Sequence, residues 1–308
     1  MPLDVVDVHT HAFPDQITGR EWAASVGVPD SKRSGHIAEL GSLMAEGGIG
    51  RAVILLFDRG PDIYAALIAA GRSKEFAMQE VKGQILAYNR WGCDVAAREP
   101  RYLPFIGVNA RFMSPVEVRQ EIAAMKVAGA AGVKIVPAAM GVYPNDRLLD
   151  PIFEACTEHG MPLLSQSGRD GGAPSVGADA FGRPKYWADV MARFPGLTLV
   201  LAHLGRGHED DIVDLTHRFS NVFTDTSLRL SGLGKPDRWT AADLVEMIRR
   251  IGVDRVLFGS NYPFVNPAVY VTILEQLPLK DRERRMIAAE NFDHLMRAVG
   301  GGTRRAEV

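Results

Sequence analysis

Two histidines, His9 and His11, end the stretch Asp7-Val8-His9-Thr10-His11, which closes an apolar run that starts at Leu3. That run is rich in β-branched residues and reads as a buried strand. Side chains at i and i+2 of a strand share a face. Two imidazoles placed side by side at a strand end can hold one Zn²⁺-like ion through their nitrogens. The same pattern also suits two ordinary polar histidines in a loop. Two other stretches end apolar runs in the same way: Leu201-Ala202-His203-Leu204-Gly205 and Gly259-Ser260-Asn261-Tyr262-Pro263. His203 adds a third imidazole, with an unperturbed pKa suited to acid/base work near neutrality. Asn261 puts an amide where a metal site would call for a carboxylate, and an amide takes up no proton at working pH.

These residues need a scaffold that brings distant chain segments together. Strand-like runs fall near 3–9, 51–57, 103–108, 132–136, 161–165, 197–203, 221–226 and 254–259. Helical patterns fall near 35–47, 73–98, 114–128, 145–159, 185–194, 208–218, 240–251 and 266–276, with a last helix near 280–298. Ser114-Pro115 marks a helix start, with Gly129 after its end, and Gly160 marks another stop. Eight strand–helix repeats imply parallel strands joined by crossover helices. The expected fold is α/β, a (β/α)₈ TIM barrel in a single domain over residues 1–299, with residues 300–308 as a flexible tail. An open doubly wound sheet is the alternative, but no Gly-x-Gly-x-x-Gly follows the first strand. In such a barrel the C-terminal strand ends form one mouth. There the sequence places His9, His11, Asn109, Lys134, Gln166, His203, Asp225 and Asn261.

Composition limits the rest. The 308 residues are 46% hydrophobic and 23% charged, with a net charge of −2. So even a balance gives no electrostatic case for nucleic acid or an anionic membrane. No apolar stretch approaches the about 20 residues of a membrane helix. Cys93 and Cys156 fall in helical segments and read as small buried apolar residues, without a disulfide framework. With no basic-then-apolar leader at the start, a cytoplasmic location is the expectation.

The chain resembles the amidohydrolase superfamily, in particular the amidohydrolase-related group. That group includes aminocarboxymuconate-semialdehyde and resorcylate decarboxylases and several lactonases. The resemblance rests on residues 7–14, Gly-Val-Lys-Ile-Val-Pro (132–137), Leu-Ala-His-Leu-Gly (201–205), Phe-Thr-Asp-Thr-Ser (223–227), Leu-Phe-Gly-Ser-Asn-Tyr-Pro (257–263) and Glu-Asn-Phe-Asp-His-Leu (290–295). It implies that His9 and His11 bind a divalent ion, Zn²⁺ first among candidates, and that His203 acts as acid/base or substrate contact. Two positions depart from the group's pattern: Gln166 stands for the ligand His after the fifth strand, and Asn261 for the Asp after the eighth. A His, His, Gln, Asn set carries no negative charge to offset the ion, which weighs against tight Zn²⁺ binding. Some relatives carboxylate the fourth-strand lysine to bridge two metals; without the Asp, Lys134 reads better as an anion contact or ion-pair partner.

With Asn261 unable to serve as base, the work passes to His203, with Asp225 either orienting a histidine or taking the proton itself. Asn261, Lys134 and Arg206 could hold a developing oxyanion, and Gln166 and Tyr262 complete the expected substrate contacts. Residues 12–34, with Phe13, Arg20 and Trp22, should shape the pocket, and 167–184 should form a mobile lid. Arg229, Lys235 and Arg238 in the loop after strand seven hint at a carboxylate-bearing small molecule. The expected activity is hydrolysis of a small amide, ester or lactone. Non-oxidative decarboxylation of an aromatic or unsaturated acid is the alternative. A ligand-binding relative without catalysis, or an engineered inactive variant, is the alternative of another class. Analogy with similar barrels suggests a homodimer.

Overall fold

In the computed structural model, residues 3–56, 60–169, 178–235 and 239–301 are described. Eight strands form one parallel sheet in sequential order: β1 (Val6–Thr10), β2 (Arg51–Leu55), β3 (Tyr102–Gly107), β4 (Gly132–Ile135), β5 (Leu163–Ser165), β6 (Leu199–Leu201), β7 (Val222–Asp225) and β8 (Val256–Leu257). The main chain closes the sheet on itself. Val8 N–H donates to Phe258 C=O (2.9 Å), Asn261 N–H to His9 C=O (2.8 Å) and His11 N–H to Tyr262 C=O (2.8 Å). The sheet is therefore the expected single-domain barrel.

Strand residues divide by alternation. Val53, Leu55, Phe105, Leu164, Val200, Phe223 and Leu257 fill the interior, closed below by Ala289, Phe292 and Leu295. Ala52, Ile54, Ile106, Val133, Ile135 and Leu199 face outward under the helices. Lys134 pairs in register with Gly107 and Leu164, so it stands on the interior face.

The helices start where the chemistry predicts. Ser114 and Glu117 form a reciprocal capping box ahead of Pro115–Val127, with Pro at the first position. Two ten-residue helices were not expected, Gln16–Ser25 and Gly60–Ala69, nor were the short turns of helix Pro137–Met140 and Ala178–Phe181. The first buries only Gly19, Trp22 and Ala23. Gly19 is required there, since a Cβ would sit 2.0 Å from the Ser34 carbonyl oxygen. The terminal helical region is Asp281–Arg285, a π-helical turn Met286–Glu290, and a helix Asn291–Gly301 that runs past the expected start of the tail. Residues 302–308, 170–177 of the expected lid and Arg238 lie outside the described residues. Among the described residues no helix is long and apolar enough to cross a membrane.

Two of the strands that stop earlier than expected lead into left-handed turns. β6 ends at Leu201, after which His203 (φ 66°) and Leu204 (φ 50°) turn left-handed. β8 ends at Leu257, and Asn261 is also left-handed at φ 73°. The expected sixth strand, 197–203, carried His203 forward in extended form; the structure turns it at the mouth instead. Non-glycine residues in this region are uncommon and cluster at functional sites.

Candidate active site

β1 delivers His9 and His11 by a less regular route than simple alternation. Asp7 pairs with Ala52 and Thr10 with Ile54, so three steps along β1 match two along β2. Such a bulge re-aims a side chain at the end of a strand. It lets Val8 pack in the barrel interior while His9, its neighbour in sequence, reaches interior Asp225. Gly259 makes room for it, because a Cβ there would meet His9 Cβ at 2.9 Å.

Asp225, at the end of β7, organises what converges. Its Oδ2 accepts from His9 Nδ1 at 2.8 Å. Its Oδ1 accepts from the main-chain N–H of His203 and of Ser227, both at 3.0 Å, and from the Ser227 hydroxyl. His203 Nδ1 lies 2.6 Å from Ser227 Oγ, and its Nε2 lies 3.0 Å from Gln166 Oε1. The His9 ring is 4.9 Å from that of His203 and 5.3 Å from that of His11, which packs on Trp22 at 4.5 Å. His9, His203 and Asp225 are each at most 2% exposed.

Burial dominates the ionisation of these groups. It lowers the basicity of His9, opposed by Asp225. It lowers His11 further, helped by neighbouring His9 and Lys134, and His203 likewise, helped by His9. The three imidazoles are neutral near pH 7. Burial pushes the Asp225 carboxyl up, but the attraction of His9 and the donors around it outweigh this and hold it well below the usual carboxylate range. Asp7 accepts N–H bonds from His9 (3.1 Å) and Ser260 (2.9 Å), yet burial raises it to about 7.

His9, His203 and Asp225 each bring a ligand atom within 4.8 Å of one another, a grouping able to hold a metal ion. His9 Nε2 is buried and has no hydrogen-bond partner, while its Nδ1 is fixed by a carboxylate. That is how a protein orients a histidine towards a metal. The residues therefore fit a divalent cation. That grouping includes a carboxylate, Asp225, which the expected His, His, Gln, Asn set lacked.

The other expected residues separate. Lys134 is buried within electrostatic reach of all three histidines. Gln166 meets His203. Asn261 is 4% exposed and joined to His9 through the main chain. Arg206 is half-buried on the turn after His203, its carbonyl accepting from Arg169 N–H. Tyr262, expected as a substrate contact, is fully buried, with its hydroxyl 3.0 Å from both Glu39 Oε2 and the His36 carbonyl. It braces the β8 loop. Arg229 pairs with Glu209 at 2.9 Å and stacks on Trp239, so its charge is already engaged. Asn109 caps its own turn through Arg111 N–H. Sequence reasoning missed Ser227; its spacing two residues after Asp225 was the available signal.

The sequence profile of the Amidohydrolase family matches residues 6–291, nearly the whole chain. The chain belongs to the amidohydrolase family. No curated protein matches it by sequence. Solved structures resemble this family member at low identity. An uncharacterised TIM-barrel protein from Bordetella bronchiseptica is 18% identical with a TM-score of 0.70, covering 97% of this chain and 100% of its own. A 5-carboxyvanillate decarboxylase from Sphingomonas paucimobilis is 16% identical with a TM-score of 0.69, covering 96% and 99%. One from Novosphingobium aromaticivorans, complexed with manganese and 4-hydroxy-3-methoxy-5-nitrobenzoic acid, is 16% identical with a TM-score of 0.71, covering 96% and 96%. At such identities the likeness fixes the barrel of this amidohydrolase-family chain and leaves its chemistry to the site.

Proposed function

We propose that this protein is a carboxy-lyase that removes CO₂ from a small aromatic or unsaturated carboxylic acid. One observation carries the reading. The residue after β8 is the amide Asn261, and both oxygens of Asp225 are committed to His9, His203 and Ser227. Asp225, the carboxylate of that cluster, is thereby held by its donors rather than free to deprotonate a hydrolytic water. The decarboxylases of similar fold lend support, as does the aromatic group of Phe13, Trp22 and Phe264 beside His11, which suits a planar substrate.

His9, backed by Asp225 and with the His11 ring 5.3 Å away, would hold the divalent ion, Zn²⁺ or Mn²⁺, leaving His203, the third member of the metal-capable group, to the substrate. When bound, such an ion fixes and polarises the substrate carboxylate. Lys134 adds positive charge from below. His203 accepts a proton at Nε2 from a substrate hydroxyl or water. As the C–CO₂⁻ bond breaks and CO₂ leaves, the electron pair left on carbon takes that proton. One proton is consumed per CO₂ released. The weak basicity of buried His203 makes its protonated form a strong acid, suited to this transfer.

The test is CO₂ release by the Zn²⁺- or Mn²⁺-loaded protein from a panel of hydroxylated aromatic and unsaturated acids. His203→Asn should lower kcat by about 10²-fold or more while retaining metal. Loss of the metal instead would make His203 a ligand. Hydrolysis of a small amide, ester or lactone is the second reading, supported by His203 Nε2 as a base for water. Turnover of lactones or esters without CO₂ release from any acid selects it. No turnover of either panel selects a binding protein.

A further inference from the structure

We infer that Ser227 is a positioning residue that carries the influence of Asp225 to His203, fixing that imidazole as its Nδ1–H tautomer with the Nε2 lone pair turned to the mouth. The argument is a count of donors and acceptors. Asp225 Oδ1 already receives two main-chain N–H groups and acts only as an acceptor. The single Ser227 hydroxyl proton therefore goes to Asp225. That leaves only lone pairs on Ser227 Oγ to face His203 Nδ1, 2.6 Å away, and His9 Nδ1, 3.1 Å away and already bonded to Asp225 Oδ2. The other neighbour of Nδ1, the Ser227 carbonyl at 3.2 Å, also only accepts. Two acceptors around one ring nitrogen require that nitrogen to carry the proton.

Three consequences follow. Asp225 orients two histidines at once, His9 directly through Oδ2 and His203 through the hydroxyl. Both rings then present Nε2 as a lone pair. Gln166, 3.0 Å from His203 Nε2, must turn its NH₂ group towards that lone pair, a half-turn of an amide whose two ends are nearly isosteric. The inference does not depend on which reaction the site performs. It sets the state in which His203 meets any substrate: ready to accept a proton or a cation, and unable to donate until protonated.

Long-range ¹H–¹⁵N correlation of the histidine-labelled full chain tests this, metal-stripped and Zn²⁺-loaded, with His203 assigned by its loss in His203→Gln. Wild-type His203 should give the widely separated ring ¹⁵N shifts of a single Nδ1–H form. In Ser227→Ala those shifts should converge towards their average, as the Nε2–H form gains population. His9, whose Nδ1 lies 3.1 Å from Ser227 Oγ but is bonded more closely to Asp225 Oδ2 at 2.8 Å, should keep its Nδ1–H form through the carboxylate. Ser227→Thr should restore the wild-type pattern. With an identified substrate, kcat should fall roughly tenfold or more in Ser227→Ala and recover in Ser227→Thr. Ser227→Cys, which keeps the size and weakens the hydrogen bonds, replaces the alanine variant if that protein does not fold. An Nε2–H wild-type His203, or a tautomer indifferent to residue 227, overturns the inference.

Discussion

At the scale of single residues, Asp7 carries an energetic signature of its own. Burial raises its carboxyl to about 7, against an ordinary value of 3.8. Between those values the folded chain keeps a proton that the unfolded chain has lost. Raising pH through that window therefore favours unfolding, by at most about 4 kcal/mol from this group. The buried histidines, whose basicity is lowered, add a slope of opposite sign, so the readout is a difference. Urea unfolding of metal-stripped wild type and Asp7→Asn between pH 4 and 8 should show the variant gaining relative stability as pH rises. Parallel curves would mean that Asp7 titrates normally. The histidine pair was legible in the sequence because its spacing and the apolar run before it are local. Ser227 was not, since a serine acquires its role only from the carboxylate and imidazole that the barrel brings to it.

At the scale of elements, all eight strands were legible because each is a compact apolar run between turn signals. The bulge in β1 was not, because it appears only as a register shift against β2. The helix Gln16–Ser25 was hidden by its sparse apolar pattern. Gly259 shows what exact placement of these elements demands. A methyl group there would press on His9 Cβ at 2.9 Å and Asp225 Cβ at 3.4 Å, atoms too close to the main chain to swing aside. Gly259→Ala should cost about 1–3 kcal/mol of stability by overpacking. It should also weaken metal binding and turnover roughly tenfold or more by displacing His9. Calorimetric titration with Zn²⁺ checks it; wild-type affinity in the variant would show that His9 tolerates the shift.

At the scale of the whole molecule, a cation bound only by the folded barrel stabilises the fold by mass action. Metal at about 100 times its Kd should add about 2.7 kcal/mol, a Tm rise of several degrees for a chain of this size. Differential scanning fluorimetry with Zn²⁺ or Mn²⁺ measures it. His9→Ala should abolish the rise, and a rise that persists would move the ion to other residues. The Arg51–Asp293 pair, at 2.6 and 3.1 Å, ties β2 to the last helix beneath the barrel, opposite in role to the mouth. The division of labour is that of barrels generally, with stability below and chemistry above.

The bonds that close the barrel are also the bonds that seat its chemistry. His9 C=O receives Asn261 N–H, and His11 N–H reaches Tyr262 C=O. During synthesis the histidines of β1 emerge about 250 residues before their partners after β8 and wait for them. A nascent chain cut short before β8 keeps an unpaired strand edge at β1, open to wrong pairing, and has no assembled centre. Emergence of the segment that follows β8 is thus the moment at which the barrel closes and the candidate site is assembled.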